Sequence, residues 1–174
     1  MGSATVLKFY EVFLMNQKNE YNVKAVVADS PFQNFIETVE NKMAGMYVIS
    51  WFKTRITNSI VKASRERLGY DMNEMTLFKD IDEVNNKIPI ILLGSREDQL
   101  TPFEGLMKVA NKIKGPKTVI ETKGPHNQQR LVSTMIKVQD ILFGHIGMKI
   151  EVERGLYEAV QPEDLGDIKS FIYG

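Results

Sequence analysis

Two residues of this sequence, Asp98 and His126, have the types and spacing of an acid–base pair. Each lies in a polar loop that follows an apolar, strand-like run. A carboxylate that accepts the ring N–H of a histidine fixes its tautomer and stabilises the imidazolium that forms when the ring takes a proton. Such a pair serves proton transfer and needs a nucleophile beside it. Taken alone, His126 also fits a surface histidine in a polar turn.

The elements around the two loops explain how they can meet. Residues 87–93 and 118–121 are short runs rich in β-branched and apolar side chains, which is typical of buried parallel strands. Each leads through its loop into a helical pattern, over 103–114 and from Leu131 onward. Because the carboxyl ends of parallel strands lie at one edge of a sheet, we expect the two loops to be neighbours.

The rest of the chain repeats this alternation. Residues 1–15 predict a helix that is apolar on most of its circumference and therefore buried, and 23–28 predict a strand buried on both faces. Residues 33–68 are helical, with breaks near Gly45 and Gly69. Alternating strands and helices predict an α/β fold with a parallel sheet covered by helices on both faces.

Composition excludes several classes of protein. The chain has 174 residues, of which 43% are hydrophobic, and this suits one globular domain. Lys and Arg together number 22, as do Asp and Glu, so there is no overall bias toward nucleic acid. There is no cysteine, which excludes disulfides, thiolate metal sites and cysteine nucleophiles. Neither a transmembrane run nor a signal peptide is recognisable, so we expect a cytoplasmic protein.

Three stretches, in the correct order, resemble motifs of one family. Residues 25–32 read AVVADSPF and are similar to a strand followed by a D-S-P-F turn. Residues 88–102 resemble a proline-led strand that runs into a D-x-x-x-P loop, and residues 124–127 resemble a G-x-H-N turn. Over residues 1–143 the sequence looks like the C-terminal part of an α/β-hydrolase, close to the serine-aminopeptidase-like branch.

The resemblance implies a serine hydrolase that acts on an ester, a thioester or a peptide, without a cofactor or a metal. It implies that Asp98 is the catalytic acid and His126 the catalytic base. The helical stretch 33–70 corresponds to a lid inserted into the hydrolase domain of residues 1–143. Residues 144–174 form an extension of unknown role, with a weakly alternating segment at 148–152.

The beginning of the chain resembles the end of a nucleophile elbow. Residues 1–5 read MGSAT, similar to the last part of the family motif G-x-S-M-G-[SA]-A-T. The resemblance then implies that the nucleophilic serine stands immediately before Met1, and that Met1 occupies an oxyanion-hole position. We therefore expect a truncated hydrolase that is inactive alone. Ser3 and Ser30 are alternative nucleophiles, although we expect no strained strand-to-helix turn around Ser30.

Other functions and partners follow from the same pattern. With residues 23–28 as an unpaired edge strand, we expect either a missing N-terminal half as partner or self-association through that edge. Basic residues between positions 53 and 67 favour a solvated helix face, because acidic residues interleave with them. A non-catalytic interaction protein that retains a partial hydrolase fold is the alternative function. The sequence contains neither a G-x-G-x-x-G motif nor a P-loop, so it does not favour nucleotide binding.

Overall fold

The computed structural model describes residues 2–14, 22–44, 49–79, 87–126, 130–147 and 169–173. The helices of this part are α1 (Gly2–Phe9), continued by a π-helical turn (Tyr10–Leu14), α2 (Phe35–Ala44), α3 (Ser50–Leu68), a 3₁₀ turn (Met72–Glu74), α4 (Phe103–Lys112) and α5 (Val132–Ile146). The strands are β1 (Val26–Asp29), β2 (Ile90–Ser95), β3 (Lys117–Thr122) and β4 (Lys169–Tyr173).

The strands form one sheet in the order β1-β2-β3-β4. The first three are parallel, and the register pairs Val26 with Ile90 and Ile90 with Lys117. The predicted α/β fold with parallel strands is therefore confirmed. β4 pairs antiparallel with β3, with Tyr173 opposite Lys117. It was not predicted, and the alternating segment 148–152 lies outside the described residues.

Helices cover both faces of the sheet, so β2, which lies between β1 and β3, is buried over its whole length. One face packs against α1 and α4 through a cluster that includes Leu7, Ala28, Ile90, Leu92, Leu106 and Val119. The opposite face packs against α5 through Ile91, Leu93, Ile120 and Val138. Alternate residues of β2 thus point to different helices, as expected of a strand between two layers.

The first helix and the first strand are less buried than predicted. Val6 and Val12 are 40% and 47% exposed, so the helix buries one side rather than its whole circumference. Val27 of β1 is 36% exposed. The reason is that the cluster beneath α5 is built from β2, β3 and α5, so in the described part of the chain α5 does not extend over β1.

The helical stretch between β1 and β2 has the predicted breaks. α2 ends at Ala44, and α3 ends at Leu68 and is followed by Gly69 with a φ of +65°. A left-handed residue after the last turn is usual for a helix end and favours glycine. The two ends of the stretch meet at an isolated antiparallel bridge between Asn34 and Thr76.

None of the helices in the described ranges combines the length and the apolar character that crossing a membrane requires.

Candidate active site at the carboxyl edge of the sheet

Asp98 and His126 are brought together by the ends of neighbouring strands. β2 and β3 are paired through their last residues, with Ser95 opposite Thr122. The loops that follow place Nδ1 of His126 2.7 Å from Oδ2 of Asp98. The parallel register therefore converts a separation of 28 positions into a direct hydrogen bond.

The carboxylate of Asp98 is buried and held by its own loop. Its Oδ1 accepts the backbone N–H groups of Leu100 and Thr101, both at 2.9 Å, and its Oδ2 accepts the hydroxyl of Thr101 at 2.6 Å. Burial raises the pKa of Asp98, but the hydrogen bonds from Thr101 and His126 outweigh it and hold that pKa below its ordinary value. The group therefore remains an ionised acceptor.

The partnership with Asp98 fixes the role of each ring nitrogen of His126. An ionised carboxylate only accepts hydrogen bonds, so Nδ1 carries the proton and donates it. The Thr101 hydroxyl oxygen lies 3.2 Å from the same nitrogen and steadies the ring from a second side. In the neutral ring Nε2 then has a free lone pair, and 24% of the side chain is exposed. In this arrangement the ring can accept a proton on Nε2 from a neighbouring group.

The loop that carries His126 is fastened before the histidine. The backbone N–H of Gly124 donates to Oε2 of Glu97 at 3.1 Å, which connects this loop to the one that contains Asp98. Gly124 has a φ of +91°, a conformation that side-chain-bearing residues rarely adopt. Glycine at this position therefore allows the turn that directs His126 toward Asp98.

The same loop is fastened after the histidine by Arg130. Its Nε and Nη2 donate to the two carboxylate oxygens of Asp29 at 2.9 and 2.6 Å, and Nη2 also donates to Oγ of Ser30 at 2.7 Å. The side chain of Arg130 is only 9% exposed. The hydrogen bonds to Asp29 raise the pKa of Arg130, which is thus a permanent cation. All three strand ends at this edge are therefore connected.

The backbone at Ser30 is strained, although no strained strand-to-helix turn was expected there. Its φ is +50°, a left-handed conformation that is strained for a serine, directly after β1. The turn is nevertheless not an elbow, because α2 begins only at Phe35. Its hydroxyl donates to Asp29 at 3.1 Å and accepts from Arg130. Within the described residues, this hydroxyl is not bonded to His126.

The two remaining candidates are at the beginning of the chain. Ser3 is the second residue of α1, which begins at Gly2. Met1 lies outside the described residues.

Sequence reasoning missed four residues of this site: Asp29, Glu97, Thr101 and Arg130. Thr101 had a local signal, because a threonine shortly after an aspartate is typical of a side-chain-capped turn. The contacts of Glu97 and Arg130 are long-range, and a single sequence carries no signal for them. In the described part of the chain, no cluster of three or more acidic or histidine side chains could hold a metal ion.

The chain is similar to several solved structures, among them the two that follow. The first is the alpha/beta hydrolase domain-containing protein 10 from mouse, with 16% identity over 82% of this chain and 57% of that one, and a TM-score of 0.49. The second is an esterase from Pyrococcus furiosus, with 18% identity over 84% of this chain and 48% of that one, and a TM-score of 0.44. The chain thus spans about half the length of the solved structures it matches.

No protein-family model matches the chain, and no curated protein matches it in sequence.

Proposed function

We propose that this chain is the C-terminal portion of an α/β-hydrolase of the serine type, with Asp98 and His126 as its acid and base. The observation that carries the proposal is the 2.7 Å hydrogen bond between a buried carboxylate and a partly exposed imidazole at the carboxyl edge of a parallel sheet. A purely structural pair at a sheet edge has no need of an ionised, buried partner for a histidine.

In the proposed reaction His126 takes the proton of a serine hydroxyl on Nε2 as that oxygen attacks an ester, thioester or peptide carbonyl. Asp98 stabilises the imidazolium, which then returns the proton to the leaving group. By resemblance of residues 1–5 to the family motif, we propose that this serine precedes Met1. Ser30 fits this role less well, since its hydroxyl is engaged by Arg130 and Asp29.

We also propose that α2 and α3 act as a lid over this edge. Support comes from the position of the insertion, which begins at the carboxyl end of β1. The side chain of Asn41 in α2 lies 3.5 Å from the carbonyl of Leu100, in the loop that holds Asp98. Trp51 and Phe52, at the start of α3, are 63% and 46% exposed and offer apolar surface to a substrate.

Two assays test the function. Residues 1–174 alone should hydrolyse p-nitrophenyl acetate no faster than the His126→Ala variant does. A protein extended by an upstream strand that ends in G-x-S should hydrolyse it. Its kcat should fall by about 10⁶-fold in His126→Ala and by about 10⁴-fold in Asp98→Asn. Full activity of the extended His126→Ala variant would disprove the role of the pair.

A fluorophosphonate label separates the two parts of this proposal. We expect no labelled serine within residues 1–174. Labelling of Ser30 that requires His126 would preserve the acid–base pair but move the nucleophile into this chain.

A further inference from the structure

A cavity of about 220 Å³ opens between α1, the turn after β1 and the segment that returns to the sheet from α3. The residues that line it are Ala4, Thr5, Lys8, Phe32, Tyr70, Met75, Thr76 and Leu77. Neither Asp98 nor His126 forms a wall, so the cavity is separate from the acid–base pair.

The walls of this cavity are held in place by hydrogen bonds. The carboxylate of Glu11 accepts from Lys8 at 2.8 Å with one oxygen and from the backbone N–H of Phe78 at 2.9 Å with the other. It thereby connects α1 to the returning segment. The backbone of residues 75–77 is also bonded to residues 33–35, by two hydrogen bonds of 2.8 and 3.1 Å. If the cavity collapsed, these hydrogen bonds would break. The cavity is therefore preformed.

The lining favours an uncharged occupant. Phe32, Met75 and Leu77 contribute apolar side chains from the two segments opposite α1. Lys8 is the charged residue of the lining, and its ammonium group is neutralised by Glu11. An anionic ligand would have to compete with that ion pair, whereas a neutral apolar group would lose nothing by entering.

The size of the cavity restricts the occupant further. An apolar cavity of about 150 Å³ accommodates benzene, while sites for drug-sized ligands measure about 300–1,000 Å³. At about 220 Å³ this cavity lies between those values and suits one hydrocarbon group. Tyr70, which is 41% exposed, lies at the rim, where a polar head group can remain in solvent.

We propose that the cavity binds an uncharged hydrocarbon group of about six to eight carbon atoms that belongs to a small molecule. Such a group can come from a free hydrocarbon-like molecule or from the tail of a larger amphiphile. 1-Hexanol represents the first source, and hexyl glucoside the second. If 1-hexanol alone binds, the cavity is closed to tails with a bulky head, and the first source is correct.

The test is NMR titration of the full chain with ¹³C-labelled methionine methyl groups. The methyl signal of Met75, in the cavity wall, should shift with saturable dependence on 1-hexanol. That of Met135, which is 52% exposed elsewhere, should not shift. Equal shifts at both methyl groups would mean non-specific contact with apolar surface and would overturn the proposal.

Two neighbouring substitutions on α1 make a matched pair. Thr5→Phe fills the cavity from an exposed position and should weaken binding at least tenfold. Val6→Phe adds the same ring next to it, away from the cavity, and should leave binding unchanged. Unaltered binding by Thr5→Phe would refute the site. Should that variant not fold, nuclear Overhauser contacts between 1-hexanol and the Met75 methyl decide, and their absence also refutes it.

A third variant separates this site from the proposed catalytic function. His126→Ala should bind 1-hexanol as tightly as the unsubstituted chain. Loss of binding in that variant would place the ligand at the acid–base pair and not in this cavity.

Discussion

Arg130 and Asp29 form a two-point ion pair across 101 positions of sequence. The guanidinium lies at the end of the loop that carries His126, and the carboxylate is the last residue of β1. Two parallel N–H···O bonds define the orientation of both groups, which a single contact would not do. The pair therefore couples the position of the histidine loop to the first strand.

The first prediction is that this pair stabilises the fold measurably. Arg130→Met and Asp29→Asn should each lower the free energy of unfolding, and a double-mutant cycle should yield a coupling of about 1–2 kcal/mol. The coupling is modest because the side chain of Asp29 is 43% exposed and its charge is therefore screened by solvent. Urea denaturation of the four proteins measures the coupling.

Lys62 and Glu66 are the matched control for that cycle. They form an i,i+4 pair on α3 with side chains that are 76% and 63% exposed. Their coupling should not exceed about 0.5 kcal/mol. Equal coupling in the two cycles would show that Arg130 has no special structural role.

The second prediction concerns the pH dependence of stability. The pKa of Asp98 is lower in the folded chain than its ordinary value, so the unfolded state binds more protons in acid. The stabilisation is therefore complete above about pH 5, and it is lost as the pH falls through the unfolded value of about 4 and then the lower folded one. Asp98→Asn should remove this part of the pH dependence. Identical acid profiles for the two proteins, from urea denaturation at several pH values, would contradict it.

The third prediction concerns Thr101, which donates to the buried oxygen of Asp98 at 2.6 Å. Thr101→Val keeps the shape but removes the donor, so fewer hydrogen bonds oppose the effect of burial and the pKa of Asp98 should rise. Stability at pH 7 should fall by about 1–2 kcal/mol. Thr101→Ser restores the hydroxyl and should restore both quantities. Titration of the Asp98 carboxyl by ¹³C NMR measures the pKa. An unchanged pKa in Thr101→Val would show that the Thr101 hydroxyl does not offset the effect of burial on Asp98.

The order of the parallel strands and of the helices that cover them could be predicted, because each element has a strong local pattern. β2 combines a run of apolar residues with flanking turn signals, and α3 and α5 are each followed by a glycine. β4 could not be predicted, since Lys169–Tyr173 is only five residues long and its pairing depends on where β3 has an open side. The exposure of Val27 could not be predicted either, because the burial of a strand depends on the helices and strands that pack against it.

The part of the candidate site that could be predicted consists of the residues of suitable chemical type that directly follow a predicted strand. Asp98 and His126 each follow a strand, and the edge rule for parallel sheets then suffices to bring them together. The pairing of Arg130 with Asp29 depends on the relative placement of two distant loops. Many other acidic residues are equally plausible partners before the fold is known. Long-range ion pairs of this kind are consequences of the fold and are not visible in local sequence.

The fourth prediction compares two glycines. A Cβ at Gly94 in β2 would lie 3.0 Å from Cδ2 of Leu106 and 3.3 Å from a ring carbon of Phe103. Gly94→Ala should therefore crowd the side chains of Leu106 and Phe103 and lower stability by about 1–3 kcal/mol. Gly144 in α5 has no atom within 4 Å of its would-be Cβ, so Gly144→Ala should raise stability by about 0.5–1 kcal/mol. Thermal unfolding of both variants measures the changes, and equal effects would contradict the packing argument.

The fifth prediction concerns β1, which pairs only with β2 in the described sheet. The N–H groups of Val26 and Ser30 point toward β2, and because donors alternate along a parallel strand, that of Val27 points to the other side. An apolar edge strand with free donors promotes strand pairing between chains. Residues 1–174 should therefore self-associate as their concentration rises, as measured by light scattering after size exclusion.

Val27→Lys should shift that equilibrium toward monomer, because a charge on the edge strand opposes docking of a second chain. Val12→Lys places the same charge on the π-helical turn after α1, at a position that is 47% exposed, and should have no effect. A chain that is monomeric at all concentrations and unfolds cooperatively would show that the edge of β1 needs no partner. It would also count against the proposal that a further part of a hydrolase belongs beside this strand.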